Sequence, residues 1–287
     1  MPELPEVEIV KRSLFKMVNK AKILDIKIKN KKLRYKIPKL FSQYLINEKI
    51  LNISRVSKYL LFYFKKKLLL VHLGMTGKFF LLRDNDKTIF KTSFYYDLNN
   101  HPKHNHVFFK LSNGFIMIYN DVRRFGFFKL FNSTKLDKIV FLNKLGLEPL
   151  SKNFNLKYFV NISKNRKKNI KNLLMDQTFV AGLGNIYVNE ALFMAKIHPL
   201  RLSSNLSKRE ISNLILNIKK VLKLSISKGG SSIRDFSNTS GKSGNYQQLF
   251  HVYGKENKKC SSIPCKGIIK KIRIANRSSF YCNKCQK

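Results

Sequence analysis

All four cysteines of this 287-residue chain fall in its last 28 residues, as Cys260-x4-Cys265 and Cys282-x2-Cys285, with 16 residues between the pairs. So short a segment cannot build a hydrophobic core of its own, and paired thiols at this spacing offer another means of folding. Each pair forms a turn, the spacer forms a β-hairpin, and four thiolates close a tetrahedron around one zinc ion. The competing staple, two disulfides, is disfavoured in a reducing compartment. Glu3, Glu6 and Glu8 stand where a secretion signal carries basic residues, so an intracellular, cytoplasmic protein is expected. A closed four-thiolate shell leaves no position for substrate, which predicts one structural Zn2+ and no catalytic metal. Nothing in the sequence calls for a redox or nucleotide cofactor. Lys270, Lys271, Arg273, Arg277, Phe280 and Tyr281 fill the spacer, a composition suited to a polyanion.

The rest of the chain carries the same bias. Its 57 Lys+Arg against 16 Asp+Glu give a net charge of +41. That excess favours nucleic acid as a partner. Lys, Asn, Ile and Phe all run high, as A/T-rich coding also produces. Charge alone therefore does not separate an enzyme from a chromosome-coating protein. A membrane span is excluded, because the most apolar stretch, 59–75, is broken by Lys65-Lys66-Lys67 and falls short of the ~20 apolar residues a span needs.

Periodicity divides the chain. Val7, Val10, Leu14 and Met17 recur at helical spacing after Pro5. From Ile23 to Phe131 short alternating or apolar runs separated by turn signals such as Asn113-Gly114 predict an antiparallel β-sandwich or barrel. Beyond residue 150 the pattern is helical. Its clearest element opens with a capping box at Ser207–Glu210 and runs through Ile211, Leu214, Ile215, Ile218 and Leu222 to Gly229-Gly230. The expected organisation is an N-terminal β-sandwich domain over 1–132, a linker over 133–149 and a helical domain over 150–230. A Ser/Gly/Asn-rich loop over 231–248 and a zinc finger over 249–287 follow. Gly182-Leu183-Gly184-Asn185 allows a tight reversal, with Asn185 expected to cap the next helix and its first-turn amides open to phosphate.

The amino terminus, Met1-Pro2-Glu3-Leu4-Pro5-Glu6-Val7-Glu8, concentrates carboxylates in a chain otherwise short of them. Removal of Met1 exposes the secondary amine of Pro2. An α-amine titrates near ~7.7–8.0, so an appreciable fraction is free base at pH 7. Such an amine can attack a sugar carbon and form an iminium, with Glu3 as general acid. The plainer reading is a helix start, Pro5 in the first turn and glutamates on the dipole.

Taken with Ser57-Lys58-Tyr59-Leu60-Leu61, His72-Leu73-Gly74-Met75-Thr76-Gly77, His104-Asn105-His106, Arg123-Arg124-Phe125-Gly126, Leu145-Gly146-Leu147-Glu148-Pro149-Leu150, the Gly182–Tyr187 segment and the terminal cysteines, this start resembles the bacterial formamidopyrimidine-DNA glycosylase family over nearly the whole chain. The family comprises 8-oxoguanine repair enzymes and includes endonuclease VIII. The resemblance implies an α+β multidomain fold: an N-terminal helix with an antiparallel β-sandwich, then a helical domain with a helix-two-turn-helix and a β-hairpin zinc finger. It implies a bifunctional glycosylase and abasic-site lyase that acts as a monomer on double-stranded DNA bearing oxidised bases or abasic sites. By position, Pro2 is the Schiff-base nucleophile and Glu3 the proton donor, supported by Glu6 and Glu190. Lys58 serves β-elimination and Arg277 δ-elimination. His72, His104, Lys167 and Asn185 match DNA contacts, and Met75, Arg123 and Phe125 match the side chains that fill the space of an extruded base. The 231–248 loop resembles the lesion-capping loop of the purine-specific branch. The alternatives are an endonuclease VIII-like enzyme for oxidised pyrimidines and a non-catalytic zinc-containing nucleic-acid-binding protein. Two departures stand out: Cys-x4-Cys where the family has Cys-x2-Cys, from which a looser knuckle with bound metal is expected, and Val122 where some relatives have proline.

Overall fold

The structure, a computed structural model, describes residues 2–83, 89–91, 101–134, 139–164, 166–231 and 246–287. The chain divides into two compact units: residues 1–143 with 228–247, and residues 144–227 with 248–287. Most of the expected capping loop, 232–245, lies outside the described residues.

The first unit opens with α1 (Leu4–Val18), which starts with Pro5 in its first turn and Glu6 on the positive end of its dipole. Val7, Val10, Leu14 and Val18 are fully buried along one face. That face packs into a core shared with the strands, where each such side chain contributes roughly 1.5–3 kcal/mol. Among the described residues of this unit the strands form two antiparallel sheets. One takes the order β1 (Ile23–Ile28), β7 (Asn105–Leu111), β8 (Phe115–Asn120), β5 (Lys78–Arg83) and β6 (Ile89–Lys91). The other takes the order β2 (Asn52–Val56), β3 (Tyr59–Tyr63), β4 (Lys67–His72) and β9 (Phe127–Asn132). Between β1 and β2 in the chain a short helix, α2 (Phe41–Leu45), inserts Phe41 against Phe109 and Phe128.

The four-stranded sheet is covered on both faces, which is why β3 and β4 read as apolar runs and not as alternation. Leu60, Phe62, Leu69 and Val71 face the sandwich core. Leu61, Leu68, Leu70 and Phe127 face a second cluster closed by Ile139 and by Phe141 and Leu142 of α3 (Val140–Asn143). In β1 the Leu24-Ile26-Ile28 alternation does not hold. An irregularity between Ile23 and Asp25 shifts the pairing, so Ile23 and Ile26 are buried while Leu24 is 45% exposed.

The second unit contains α4 (Leu156–Ser163), α5 (Ile170–Met175), α6 (Asn185–Met194) and α7 (Lys208–Ser227). Asn155 and Asn169 cap α4 and α5 through their side-chain oxygens, each accepting a backbone N–H three residues on. The box expected at α7 is present: Ser207 N–H donates to Glu210 Oε2 at 2.8 Å, and Glu210 N–H donates to Ser207 Oγ at 3.2 Å. The Arg201 guanidinium, 2.5 Å from the Glu210 carboxylate, holds that group at about 2. The finger hairpin, β10 (Ile269–Ile274) and β11 (Arg277–Cys282), packs Ile269, Phe280 and Cys282 against Phe193 and Val252. Among the described residues no helix is long and apolar enough to cross a membrane.

Candidate active site and nucleic-acid interface

Pro2, Glu3 and Glu6 are buried together at the start of α1. The Glu3 N–H donates to Glu6 Oε2 at 2.9 Å, while Glu6 Oε1 accepts from both the N–H and the hydroxyl of Ser231 at 3.0 Å. The plainer reading of this segment holds, since it starts a helix, and the same helix start places the buried Glu3 and Glu6 next in sequence to Pro2. Lys58 is only 7% exposed, in the two-residue turn joining β2 and β3. Ser57, first in that turn, takes φ +55°, where a II′ turn favours glycine. Arg55 ties this turn to α1, donating to Ser57 O at 2.9 Å and to Glu8 Oε2 at 3.0 Å. Burial raises the Glu8 carboxyl, but hydrogen bonds from Arg12 and Arg55 and the Lys11 charge outweigh it and hold Glu8 below its ordinary value.

His72 ends β4 beside Lys58, stacked on Phe127 with ring centroids 5.4 Å apart. Its Nδ1 accepts the Gly74 N–H at 3.0 Å, which leaves the ring proton on Nε2. Burial, with the positive charges of Lys58 and Arg34, pulls His72 down to about 4. The unfolded chain protonates this group near ~6.5 and the folded chain does so only near 4. Stability from this residue is therefore complete above pH 6.5 and falls as pH drops towards 4, by about 3 kcal/mol at most. Urea unfolding at pH 7 and 4.5 is expected to show that loss in wild type and a smaller one in His72→Gln. Equal losses would rule out a neutral buried His72.

Two turns follow at the same sheet end. Met75 is half-buried in one, and Arg123, Arg124 and Phe125 are exposed in the other. Gly74, at φ +66°, lies so close to the second turn that a Cβ would sit 2.4 Å from Gly126 N. Arg123 Nη1 reaches Met75 Sδ at 3.5 Å, and Arg123 N–H donates to Thr76 Oγ1 at 3.0 Å. His104 joins them through its carbonyl, which accepts the Asp121 N–H at 3.0 Å. Pro2, Glu3, Glu6, Lys58, His72, Met75, His104, Arg123 and Phe125 all belong to the first unit.

In the second unit the four cysteine sulfurs all lie within 4.8 Å of one another. Two of the pairs, Cys260–Cys285 and Cys265–Cys282, are 3.4 and 3.7 Å apart. A tetrahedron with Zn–S bonds of ~2.3 Å needs edges of about 3.8 Å, so the cluster fits zinc despite its four-residue knuckle. Backbone N–H groups of Ser262, Gly267 and Lys284 point at Cys260, Cys265 and Cys282 at 3.3–3.4 Å, as thiolate ligands require. Arg277 is exposed at the hairpin tip, after Ala275 and Asn276 at positive φ. Lys167 is exposed between Arg166 and Lys168, both of which pair with Asp176.

Asn185 does not cap its helix. Gly184 is the cap, and the Asn185 side chain instead donates to Ser278 O at 2.9 Å, beside Arg277. Glu190, fully buried, accepts the N–H groups of His251, Val252 and Tyr253 at 2.8–3.0 Å and so fixes the chain entering the finger. Glu190→Ala leaves these donors buried and unpaired at ~1–3 kcal/mol each, so a Tm loss on the order of 10 °C is expected by calorimetry. A loss within 2 °C, on that order-of-magnitude scale, would show that water replaces the carboxylate.

The family model "Formamidopyrimidine-DNA glycosylase N-terminal domain" matches residues 1–128, its H2TH domain matches 145–237, and the zinc finger found in FPG and IleRS matches 257–287. The formamidopyrimidine-DNA glycosylase of Bartonella tribocorum is 43% identical with all of both chains covered. The chain belongs to the formamidopyrimidine-DNA glycosylase family. Another member, from Rickettsia felis, is 42% identical with 100% of this chain and 98% of the relative covered. A Lactococcus lactis FPG mutant, solved in complex with a Fapy-dG containing DNA, superposes with a TM-score of 0.85 at 36% identity over all of both chains. The Lactococcus enzyme with an abasic site containing DNA gives 0.84 at 35% identity, covering 99% of each chain.

Within this glycosylase fold, some positioning residues carried no sequence signal. Ser231 reaches Glu6 from 225 positions away. Lys171, 1% exposed, donates to Ser278 O at 3.1 Å and to Ser279 Oγ. Asn189 Oδ1 accepts the Phe280 N–H at 2.7 Å. With Asn185 these residues hold the strand that carries Arg277. Lys171 in a helix whose Ile170, Leu173, Leu174 and Met175 are apolar was the one readable hint.

Proposed function

We propose that this protein is a base-excision repair enzyme that removes oxidised purines, 8-oxoguanine and formamidopyrimidines, from double-stranded DNA and then cleaves the abasic site. What supports this reading most is the convergence in one unit of a buried amino-terminal proline, a buried carboxyl pair and a buried lysine with two mutually packed turns bearing Met75, Arg123 and Phe125.

A base stacked in duplex exposes no path to C1′, so the nucleotide is flipped out at a cost of a few kcal/mol. Met75 and Phe125 occupy the space left behind, and Arg123 hydrogen-bonds the orphaned partner base. The Pro2 nitrogen attacks C1′, the bond to the base breaks, and Glu3 delivers the proton that the opening sugar or departing base takes up. The iminium so formed acidifies the neighbouring carbon. Loss of that proton expels the 3′ phosphate in β-elimination, with Lys58 in proton transfer and phosphate contact. Arg277 grips the phosphate for δ-elimination. Glu6 holds the amino terminus. His72, His104, Lys167 and Asn185 contact the backbone, which positions the duplex without reading sequence. Cys260, Cys265, Cys282 and Cys285 hold zinc, which when bound supplies the folding free energy of the finger. The enzyme acts as a monomer in the cytoplasm.

The test is borohydride trapping on duplexes that differ only in the lesion. Covalent adducts on 8-oxoguanine duplex in excess over those on an oxidised-pyrimidine duplex are expected. The second arm matters because a Lactococcus lactis FPG of TM-score 0.84 was solved with an oxidized pyrimidine containing DNA. Equal or reversed trapping would favour the pyrimidine reading, and no adduct on either would remove the Schiff base.

A further inference from the structure

Asp121 has no exposed surface, yet it touches both the Met75 turn and the Arg123–Phe125 turn. Its Oδ1 accepts the Thr76 hydroxyl at 2.5 Å, and the same hydroxyl oxygen accepts the Arg123 N–H at 3.0 Å. Its Oδ2 accepts the Gly126 N–H at 2.8 Å and the Tyr119 hydroxyl at 3.2 Å. Its backbone is held as firmly: the N–H donates to His104 O at 3.0 Å, and the carbonyl faces His106 Nε2 at 2.8 Å. His106 Nδ1 is buried with no hydrogen-bond partner among the described residues, so the ring proton sits on Nε2 and donates to that carbonyl. Gly126 has no room for a side chain, since a Cβ would fall 1.8 Å from the Tyr119 oxygen.

We propose that Asp121 is a positioning residue that locks the Met75 turn and the Arg123–Phe125 turn into one rigid wedge, on which excision from duplex DNA depends. The inference rests on reading Met75, Arg123 and Phe125 as the side chains that replace a flipped nucleotide. An apolar wedge offsets lost stacking only when it is already in place. A pair of turns ordered anew at each encounter loses that entropy at the moment of flipping. Both Asp121 oxygens face donors, so an amide cannot replace the carboxylate. In Asp121→Asn, an Nδ2 at the Oδ2 position confronts the Gly126 N–H, and the reversed amide forces Thr76 to give up its role as donor.

The variant has the shape of wild type, and its melting curve verifies that it folds. Cleavage of a single-stranded abasic oligonucleotide needs no wedge, because there is no stack to fill, and it serves as the internal reference. In Asp121→Asn, exchange of the Gly126 and Arg123 amide hydrogens is expected to accelerate at least about tenfold. Single-turnover excision of 8-oxoguanine from duplex should fall at least about tenfold, with single-stranded abasic cleavage within about twofold of wild type; both follow if each lost hydrogen bond is worth about 1.4 kcal/mol or more. If Asp121→Asn fails to fold, Thr76→Val, which removes one side of the lock, is read by the same measurements. Unchanged amide exchange overturns the proposal, and so does an equal fall on both substrates. Loss of duplex excision in Met75→Ala/Phe125→Ala but not in Asp121→Asn overturns it too. If Met75→Ala/Phe125→Ala excises from duplex normally, the wedge reading itself fails and the proposal with it, whatever exchange shows.

Discussion

Pro2→Gly is expected to cut strand cleavage at least about 100-fold while leaving affinity for lesion duplex near wild type. Glycine still offers an α-amine, so the loss comes from geometry. The pyrrolidine ring of Pro2 is buried, and its packing holds the nitrogen in place. Without the ring the amino group of glycine swings about the Cα–C bond, and misplacement of a reacting atom by ~1 Å can cost 10²-fold. Affinity rests on other groups, the Lys and Arg side chains that displace counterions from phosphate. Gel-shift and single-turnover assays on the same preparation check both halves. Wild-type cleavage by Pro2→Gly would remove this residue from the mechanism. Retention of Met1 should have a still simpler effect, because the Pro2 nitrogen then becomes a tertiary amide and cannot attack.

Cys282→Ser, or strong chelation, is expected to unfold the finger and lower affinity for lesion duplex at least about 100-fold, with the β-sandwich intact. Zinc ligation contributes roughly 10–16 kcal/mol apparent in finger modules, more than a hairpin this small draws from its apolar contacts. Cys282 is doubly committed, since it is fully buried among Ile269, Phe280, Phe193 and Val252 as well as within the thiolate cluster. Arg277 opens the strand that Cys282 closes and loses its place with it. Zinc content and DNA affinity should be measured together on wild type and variant. A metal-free protein that bound lesion duplex at wild-type affinity would falsify the role given to the finger and to Arg277.

Local order was legible in this chain where one side chain reports on its own environment. The 3.6-residue spacing of α1 and α7, the Ser207–Glu210 box and the paired thiols each state a short-range fact, and each appears as read. Phe125, an aromatic between Arg124 and Gly126, is 48% exposed, and an aromatic in a basic turn is legible as a surface residue. Met75 is the instructive contrast, because its place after an apolar strand reads as core and only the family resemblance set it apart. What stayed illegible depends on contacts that no short window contains. The β1 irregularity moves Leu24 to the surface, although a strict period of two would bury it. Asn185 satisfies the cap pattern and yet spends its amide on Ser278, a partner 93 positions away. Asp121 had no visible role, because a lone buried carboxylate is defined by donors from Thr76, Tyr119 and Gly126, which the fold alone brings together.

The pairing of Glu6 with Ser231 sets an order of events during synthesis. A ribosome adding ~5–20 residues per second delivers Ser231 roughly eleven to forty-five seconds after Glu6. The strands of the sandwich are complete by residue 132, so they can pair while the second unit is still being made. Throughout that interval the Glu6 carboxylate lacks the N–H and hydroxyl that later hold it. The amino terminus is thus the first part of the chain to be made and among the last to be finished. A nascent chain carries Pro2, the proposed nucleophile, near its leading end, but Glu6 acquires its Ser231 contacts only when the helices that follow have emerged.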